Sequence, residues 1–417
     1  MNSNLDDIAK VDADIARLLI EEKQRQMSTI QLIASENFAS KAVLMAQGSI
    51  ATNKYAEGLP SKRYYGGCNT VDLIENLAIE RAKILFSAGF ANVQPHSGSS
   101  ANIAVLTSLL NPGDKILGMS LSAGGHLTHG HSVNLSGKYF DVVHYGLTDK
   151  GIIDYDQVRS LAKQHKPKLI IAGFSAYSQI IDWGIFAEIA KEVGAYYMAD
   201  MAHVSGLIAA KQYPSPIEHA DVVTSTTHKT LRGPRGGIIL AKESAFMEKM
   251  LNRGVFPMTQ GGPLMHIIAA KAVCFHEAMQ PDFVRYQKSV IRNTQIMASV
   301  FIEEGFELIS GMPQCHMFLM SVKSAGLNGH EAQSILESVG IITNKNSIPN
   351  DPLPPNKTSG IRVGAQAMTT RGMDENGAKT IALWMALVLR FPNKADLYRQ
   401  KIQDFLRNKK PVPDAWE

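Results

Sequence analysis

Lys229 lies in Thr226-Thr227-His228-Lys229-Thr230-Leu231, directly after the apolar run Val222–Ser225. A lysine just past the end of a parallel strand points into the ligand crevice, and its neutral amine can form a Schiff base. His228, Arg232 and Arg235 are close in sequence, and like charge lowers the pKa of an amine. Any one lysine is more often a surface residue, so the run gains weight only beside a second one. That second run is Tyr196–Ala199, a candidate strand ending in Asp200 and followed by Met201-Ala202-His203. An ionised aspartate there can keep a pyridine nitrogen protonated, which makes the ring a better electron sink. A helix N-cap is the plainer role for Asp200, but it does not account for the pairing with Lys229 one strand later.

Two further runs supply what such a ring would need. His96-Ser97-Gly98-Ser99-Ser100 precedes the helical pattern Ala101–Leu110. Backbone N–H groups and the helix dipole make such a start an anion site, and beside Lys229 and Asp200 it reads as the phosphate subsite of pyridoxal phosphate. No G-x-G-x-x-G follows a strand and no G-x-x-x-x-G-K-[ST] occurs, so nucleotide-type phosphate sites are unsupported. Gly124-Gly125-His126-Leu127-Thr128-His129-Gly130-His131 holds three histidines, a pattern compatible with a metal. Positions 120–135 offer no carboxylate or thiol. An imidazole lying on the cofactor ring accounts for His126 equally well, and no metal is expected.

The elements that must position these groups follow from periodicity. Strands are expected at Lys115–Met119, Val142–Tyr145, Leu169–Ala172, Tyr196–Ala199, Val222–Ser225 and Gly237–Leu240, and helices near 72–87, 99–110, 156–164, 185–193 and 243–251. This alternation predicts an α/β layer with a mostly parallel sheet, whose ligands sit at the carboxyl ends of the strands. Residues 5–27 show one amphipathic helical pattern with Asn4 as N-cap, and 31–70 form a long irregular stretch rich in Ser, Asn, Gly and Tyr. Loops of that length are usually functional. Residues 264–304 read as helix broken at Pro281; beyond them come a strand at His316–Val322, helices at 329–338, 376–390 and 395–407, and a Pro-rich loop Ile348–Pro355. The expected domains are an N-terminal arm (1–40), a large cofactor-binding domain (41–280) and a small C-terminal domain (281–417).

Composition bounds the partners. The 417 residues are 45% hydrophobic and 19% charged, and Lys+Arg 42 against Asp+Glu 38 leaves only +4. That is an ordinary globular balance, too neutral to argue for nucleic acid or a membrane surface. Cys68, Cys274 and Cys315 form no C-x-x-C pair, so neither a disulfide framework nor a zinc ribbon is expected. Met1–Lys10 has no basic run before an apolar stretch and no apolar run approaches ~20 residues. A soluble, cytoplasmic protein is the expectation.

The residues also carry a family resemblance across nearly the whole chain. The matching segments include Leu32-Ile33-Ala34-Ser35-Glu36-Asn37, Lys54-Tyr55-Ala56-Glu57-Gly58, Lys62-Arg63-Tyr64-Tyr65-Gly66-Gly67, Gln260-Gly261-Gly262-Pro263 and Ser359-Gly360-Ile361-Arg362-Val363-Gly364. With the Asp200 and Lys229 runs, the chain resembles serine hydroxymethyltransferase, a fold-type I pyridoxal-phosphate enzyme of the aspartate-aminotransferase-like α/β class. The resemblance implies a large mostly parallel-sheet domain, a small C-terminal α/β domain and a homodimer with shared active sites. The implied reaction is reversible transfer of the serine hydroxymethyl carbon to tetrahydrofolate, giving glycine and 5,10-methylenetetrahydrofolate, with folate-independent aldolase side activity on β-hydroxy amino acids. Alternatives are a folate-independent aldolase, a hydroxymethyltransferase for 2-methylserine, or a catalytically silent RNA-binding or scaffold protein.

Residue by residue, the resemblance implies that Lys229 holds pyridoxal 5'-phosphate covalently, Asp200 faces its ring nitrogen and His126 stacks on the ring. Ser175 and His203 would lie near its phenolic oxygen or the substrate carboxylate. Ser97, Gly98, Ser99 and His228 would bind the phosphate, completed by Tyr55 and Gly262 from the other subunit. Ser35 and Arg362 would clamp the amino-acid carboxylate, Arg362 as the bidentate group. Glu57 would be the acid–base group and Tyr65 would order the substrate, both from the partner. Glu57, Tyr64, Leu121, Gly125, Leu127 and Asn346 would line the folate site. The chain departs from the family pattern at Ser100 (usually Gln), Phe174 and Gln179 (Ala and Arg), Pro313-Gln314-Cys315 (Thr-Asp-Asn), Asn356 (Phe) and Ala365-Gln366 (Thr-Pro).

Overall fold

The computed structural model describes residues 3–407 and 409, so Met1 and Asn2 of the stretch read for a leader lie outside it. Two compact units emerge, one of Val43–Gln287 and one of the described residues within Met1–Ala42 and Lys288–Glu417. Among the described residues no helix is long and apolar enough to cross a membrane.

The larger unit is built on seven strands: β1 (Phe90–Asn92), β2 (Lys115–Met119), β3 (Asp141–Tyr145), β4 (Leu169–Gly173), β5 (Tyr196–Asp200), β6 (Val222–Thr226) and β7 (Gly237–Ala241). Their spatial order is β1-β7-β6-β5-β4-β2-β3. Strands β2 to β6 are mutually parallel, and β7 runs antiparallel to both β6 and β1. The expected mostly parallel sheet is therefore present. Strand β7 reverses because only positions 227–236 separate it from β6, too few for the crossover that parallel pairing needs. Every residue of β4, β6 and β7 is buried, as expected for strands covered on both faces. The three-residue β1 was not expected; it is too short to show a period.

The expected helices form at Asn69–Phe86, Gly98–Leu109, Tyr155–His165, Trp183–Val193 and Ala245–Arg253, and the break at Pro281 separates Met265–Ala278 from Pro281–Glu303. Residues 5–27 are not one helix but two, Ser3–Val11 and Ala13–Ser28. Asp12 between them is extended (φ −146°), and its carboxylate caps the second helix by accepting from the Ile15 amide at 3.0 Å. That cap starts a new helix where the periodicity runs on unbroken. Asn4 falls inside the first turn rather than at the cap.

The smaller unit has an antiparallel four-stranded sheet in the order Leu308–Ile309, Met317–Ser321, Gly360–Gly364, Asn344–Asn346. Helices Gly329–Ser338, Glu375–Arg390 and Ala395–Arg407 accompany it, with a core that includes Phe301, Phe318, Leu336, Ile361, Ile381 and Met385. Ile30–Gln31 pairs in parallel with Ile341–Ile342, which docks the following Leu32–Asn37 segment onto this unit.

Beneath the larger sheet's β1 end lies a buried charged network. Arg63 donates to Asp72 and Glu75, and to the carbonyls of Ala56 (2.9 Å) and Gly58 (2.8 Å) that flank Glu57. Gln94 donates to the other Glu75 oxygen at 2.8 Å and to the Gly58 carbonyl at 2.9 Å. Burial pushes the Glu75 carboxyl up, against the pull of Arg63 and Gln94, whose donors reach both of its oxygens. Removing one partner of a buried pair costs about 3–5 kcal/mol, because the other charge is left uncompensated. Glu75→Ala should therefore lower stability by about that amount in denaturant unfolding. Asp396→Ala, which breaks the surface pair with Arg399, should cost at most ~1 kcal/mol.

Candidate active site

Asp200 ends β5, in register with Gly173 on one side and Thr224 on the other. Its Oδ2 accepts from His129 Nε2 at 3.0 Å and from the Asn102 amide at 2.9 Å, and its Oδ1 accepts from the Ala202 N–H at 3.1 Å. Burial pushes this carboxyl up, but the hydrogen bonds from His129 and the Asn102 amide outweigh it and hold Asp200 far below the usual aspartate range. Asn102 is itself fully engaged, donating to Thr128 Oγ1 at 2.7 Å and accepting from Thr224 Oγ1 at 2.6 Å. His129 is completely buried, and its Nδ1 accepts from the His126 amide at 3.3 Å. The proton therefore sits on Nε2, facing Asp200. The plain N-cap reading of Asp200 does not hold, since no helix starts at the next residue.

Lys229 is buried (8% exposed) in the tight connection between β6 and β7. Bonds from the Thr227 amide to the Gly236 carbonyl (3.1 Å) and from the Gly233 amide to the Thr227 carbonyl (2.7 Å) fold that connection back on itself. Burial, then the charges of Arg235 and Lys229, pulls the neighbouring His228 imidazole down to about 3, and its buried Nδ1 has no hydrogen-bond partner. A neutral imidazole with an orphaned polar atom beside two cations suits a site that receives an anion.

Ser97 caps helix Gly98–Leu109 in a reciprocal box. Its hydroxyl accepts from the Ser100 amide at 3.1 Å, and Ser100 Oγ accepts from the Ser97 amide at 2.8 Å. The departure at Ser100 thus closes the cap. A Cβ on Gly98 would stand 2.6 Å from Thr226 Cγ2, so only glycine lets this helix start approach the end of β6. Lys271 lies fully buried below, donating to the carbonyls of Val93 (2.6 Å), Pro95 (3.0 Å) and Gly237 (2.8 Å). Burial pulls its pKa down to about 7, while three acceptors occupy all three hydrogens of the ammonium form.

The Gly124–His131 loop closes over the same strand ends. His126 Nδ1 lies 2.7 Å from Thr128 Oγ1, and its ring centroid is 5.8 Å from that of His129. The amides of Ser175 and Ala176 donate to the Gly124 carbonyl at 2.7 and 3.1 Å, tying the loop to the end of β4. Phe174, another departure, stacks on buried His203 with centroids 6.2 Å apart. Leu121 and Leu127 stay 43% and 41% exposed on either side of Gly125. Among the described residues no group of His, Cys, Asp and Glu is arranged to hold a metal ion.

A second cluster in this unit joins Tyr55, Glu57, Tyr65 and Gly262. Tyr55 donates to Glu57 Oε1 at 3.3 Å, and the Tyr55 and Tyr65 rings meet edge to face at 5.0 Å. A Cβ on Gly262 would lie 3.1 Å from the Tyr55 ring. The Glu57 charge raises the Tyr65 phenol. Tyr64 packs on Phe256 at 5.6 Å and, with Lys62, Lys249 and Arg253, lines a cavity of about 640 Å³.

The smaller unit carries the remaining expected residues. Arg362 is buried on Gly360–Gly364, its Nε donates to Asn344 Oδ1 at 3.1 Å, and burial pulls its pKa down to about 10, with Glu36 opposing. Ser35 is half-buried in the Leu32–Asn37 segment, and Asn346 donates to the Ser347 carbonyl at 2.8 Å. Asn356 lies exposed in the loop after the Pro-rich run. Sequence reasoning missed Asn102, Thr128, His129, Thr224 and Lys271. The one available signal was a polar Asn102 inside the apolar helical run Ala101–Leu110.

A pyridoxal-phosphate group fits the larger unit's own residues. It would find a buried amine at Lys229, a nearly buried carboxylate held ionised at Asp200, and a helix start at Ser97–Ser99 for its phosphate.

Comparison with known proteins agrees. The family described as serine hydroxymethyltransferase matches residues 8–385. "Serine hydroxymethyltransferase 2" of Pseudomonas fluorescens is 57% identical over 402 residues, covering 96% of this chain and 95% of that protein. The serine hydroxymethyltransferases of Dichelobacter nodosus and Methylococcus capsulatus are each 58% identical, over 382 and 387 residues, covering 92% and 93% of this chain and the same shares of their own lengths. With the family matched over most of its length and the strand-end Asp200 and Lys229 in place, this chain belongs to the serine hydroxymethyltransferase family.

Proposed function

We propose that this chain catalyses reversible transfer of the serine hydroxymethyl carbon to tetrahydrofolate, giving glycine and 5,10-methylenetetrahydrofolate. The observation that carries the reading is Asp200, a nearly buried carboxylate (side chain 10% exposed) held ionised at the end of β5, one strand before the buried Lys229. Bound through Lys229, pyridoxal phosphate supplies the electron sink for charge left on the substrate α-carbon. Asp200 keeps a proton at the ring nitrogen; His129 and Asn102 keep Asp200 ionised and aimed. The first-turn amides of Gly98 and Ser99, with His228, receive the phosphate; Ser97 caps that turn. His126 faces the ring, and Ser175 and His203 serve its phenolic oxygen or the substrate. Arg362 and Ser35 take the substrate carboxylate.

Glu57 is the proton-transferring group, with Tyr55 bonded to it and Tyr65 beside it. Tyr64, Leu121, Gly125, Leu127 and Asn346 serve folate. The Lys62, Lys249 and Arg253 side chains beside Tyr64 suit the carboxylates of a folate glutamate tail. The same site cleaves other β-hydroxy amino acids without folate, because their aldehydes leave without an acceptor.

A homodimer with shared sites completes the reading. Leu73, Leu77 and Ile84 form an apolar stripe on helix Asn69–Phe86 and are 69%, 46% and 66% exposed, as a face covered by a second copy would be. Tyr55, Glu57 and Tyr65 lie just before that helix. Cys68, Cys274 and Cys315 are buried and none forms a disulfide, which suits a reducing cytoplasm.

Borohydride reduction of the holoenzyme followed by peptide mapping should label Lys229; label on another lysine would remove the central assignment. Mixing Glu57→Gln and Lys229→Ala chains should produce hybrid dimers with one wild-type-like site, whereas hybrids as inactive as both parents would rule out shared sites. Glu57→Gln should lower folate-dependent serine cleavage by about 10²–10⁴, with threonine-type cleavage less affected. Serine cleavage that runs equally fast without tetrahydrofolate would favour the aldolase instead.

A further inference from the structure

We infer that Gln366 is a positioning residue for the substrate carboxylate, stapling the turn that presents Ser35 to the strand that carries Arg362. The inference rests on the proposed role of Ser35 and Arg362 as the carboxylate clamp. Gln366 is completely buried, and its amide donates to the Ile33 carbonyl at 2.9 Å and to the Glu36 carbonyl at 2.7 Å. One NH₂ group thus bridges backbone acceptors on both sides of Ser35. The rest of the turn is held from the same side. The Gly364 amide donates to the Leu32 carbonyl at 2.8 Å, His316 Nε2 lies 3.2 Å from the Ala34 carbonyl, and Thr370 donates to Asn37 Oδ1 at 2.8 Å. The carbonyls of Leu32, Ile33, Ala34 and Glu36 are all taken, which leaves Ser35 at the crown.

Arg362 and Gly364 belong to one strand, so the staple and the clamp share a rigid support. A Cβ on Gly364 would stand 2.6 Å from Ala34 Cα; turn and strand meet backbone to backbone, with no slack for Ser35 to drift. Recognition by two groups on different segments depends on their separation being fixed to about 0.5 Å. Gln366 supplies two of the bonds that fix it. A glutamate carboxylate at 366 would supply no donor to either carbonyl.

The test separates carboxylate positioning from general support. Gln366→Leu keeps the volume and removes both donors. Titrating holoenzyme with glycine and with glycinamide by calorimetry should show glycine weakened about tenfold, the worth of one or two net hydrogen bonds, and glycinamide unchanged. The KM for serine should rise similarly while kcat stays within about threefold. Amide exchange at residues 32–38 of the cofactor-free protein should quicken. Faster exchange with unchanged glycine affinity would overturn the positioning role, and so would equal weakening of glycine and glycinamide. Arg362→Lys tests the underlying reading: if glycine affinity survives that change, the clamp itself is misassigned and the inference falls with it. Should Gln366→Leu not fold, Gln366→Asn keeps the amide but shortens its reach, and the same pattern of losses is expected.

Discussion

A carboxylate kept ionised away from water is the constraint from which most of the larger unit follows. Burying an anion is unfavourable unless donors replace the lost water. Asp200 receives three, from His129, Asn102 and the Ala202 amide, and each comes from a different piece of chain. His129 brings the Gly124–His131 loop across the strand ends, and Asn102 brings helix Gly98–Leu109 against β6. Because Asn102 lies in that helix and Ser97 caps it, orienting Asp200 and shaping the helix start proposed to receive the phosphate are one structural act.

The opposite charge is handled by a different device. Lys229 must stay buried and reachable, so it occupies a short reversal, and the shortness of that reversal forces β7 antiparallel to β6. Lys271 then secures the floor by holding three carbonyls, two of them on the segment just before His96 and Ser97. On the other side of that segment Gln94 reaches Glu75, which Arg63 shares with the backbone on both sides of Glu57. The positions of Glu57, the proposed proton-transferring group, and of the turn proposed to receive the phosphate are thus set by one buried network.

The sequence made much of this legible, and the omissions have a common cause. Strand-end residues such as Asp200 and Lys229 stand out because an apolar run stops where they begin. His129 could not be told from His126 and His131 by spacing, since only the fold decides which of the three meets a carboxylate. Asn102, Arg63 and Lys271 sit inside helical or irregular patterns where polar residues ordinarily mark a solvated face. The single helix read over 5–27 failed because one capping aspartate interrupts an otherwise continuous period. Gln366 carried no signal of its own, because which carbonyls its amide reaches is decided only when the Leu32–Asn37 segment folds against it.

Exposure sorts the site by task. Of the groups assigned to the cofactor, Lys229 and His203 and the supporting Lys271 and His129 are buried and Asp200 is nearly so, with Asp200, Lys271 and His129 held by two or three bonds each. Those assigned to folate, Tyr64 (76% exposed), Leu121 and Leu127, lie open on short turns. A group that stays bound through many turnovers gains from preorganised, desolvated partners, because electrostatic contacts strengthen as water is excluded. A cosubstrate that must arrive and leave in every cycle gains from apolar surface that costs little to uncover. Glu57, the proposed proton-transferring group, stands between these regimes, half-buried with Tyr55 on one oxygen, an exposure that suits both contact with a bound substrate and access by the next folate.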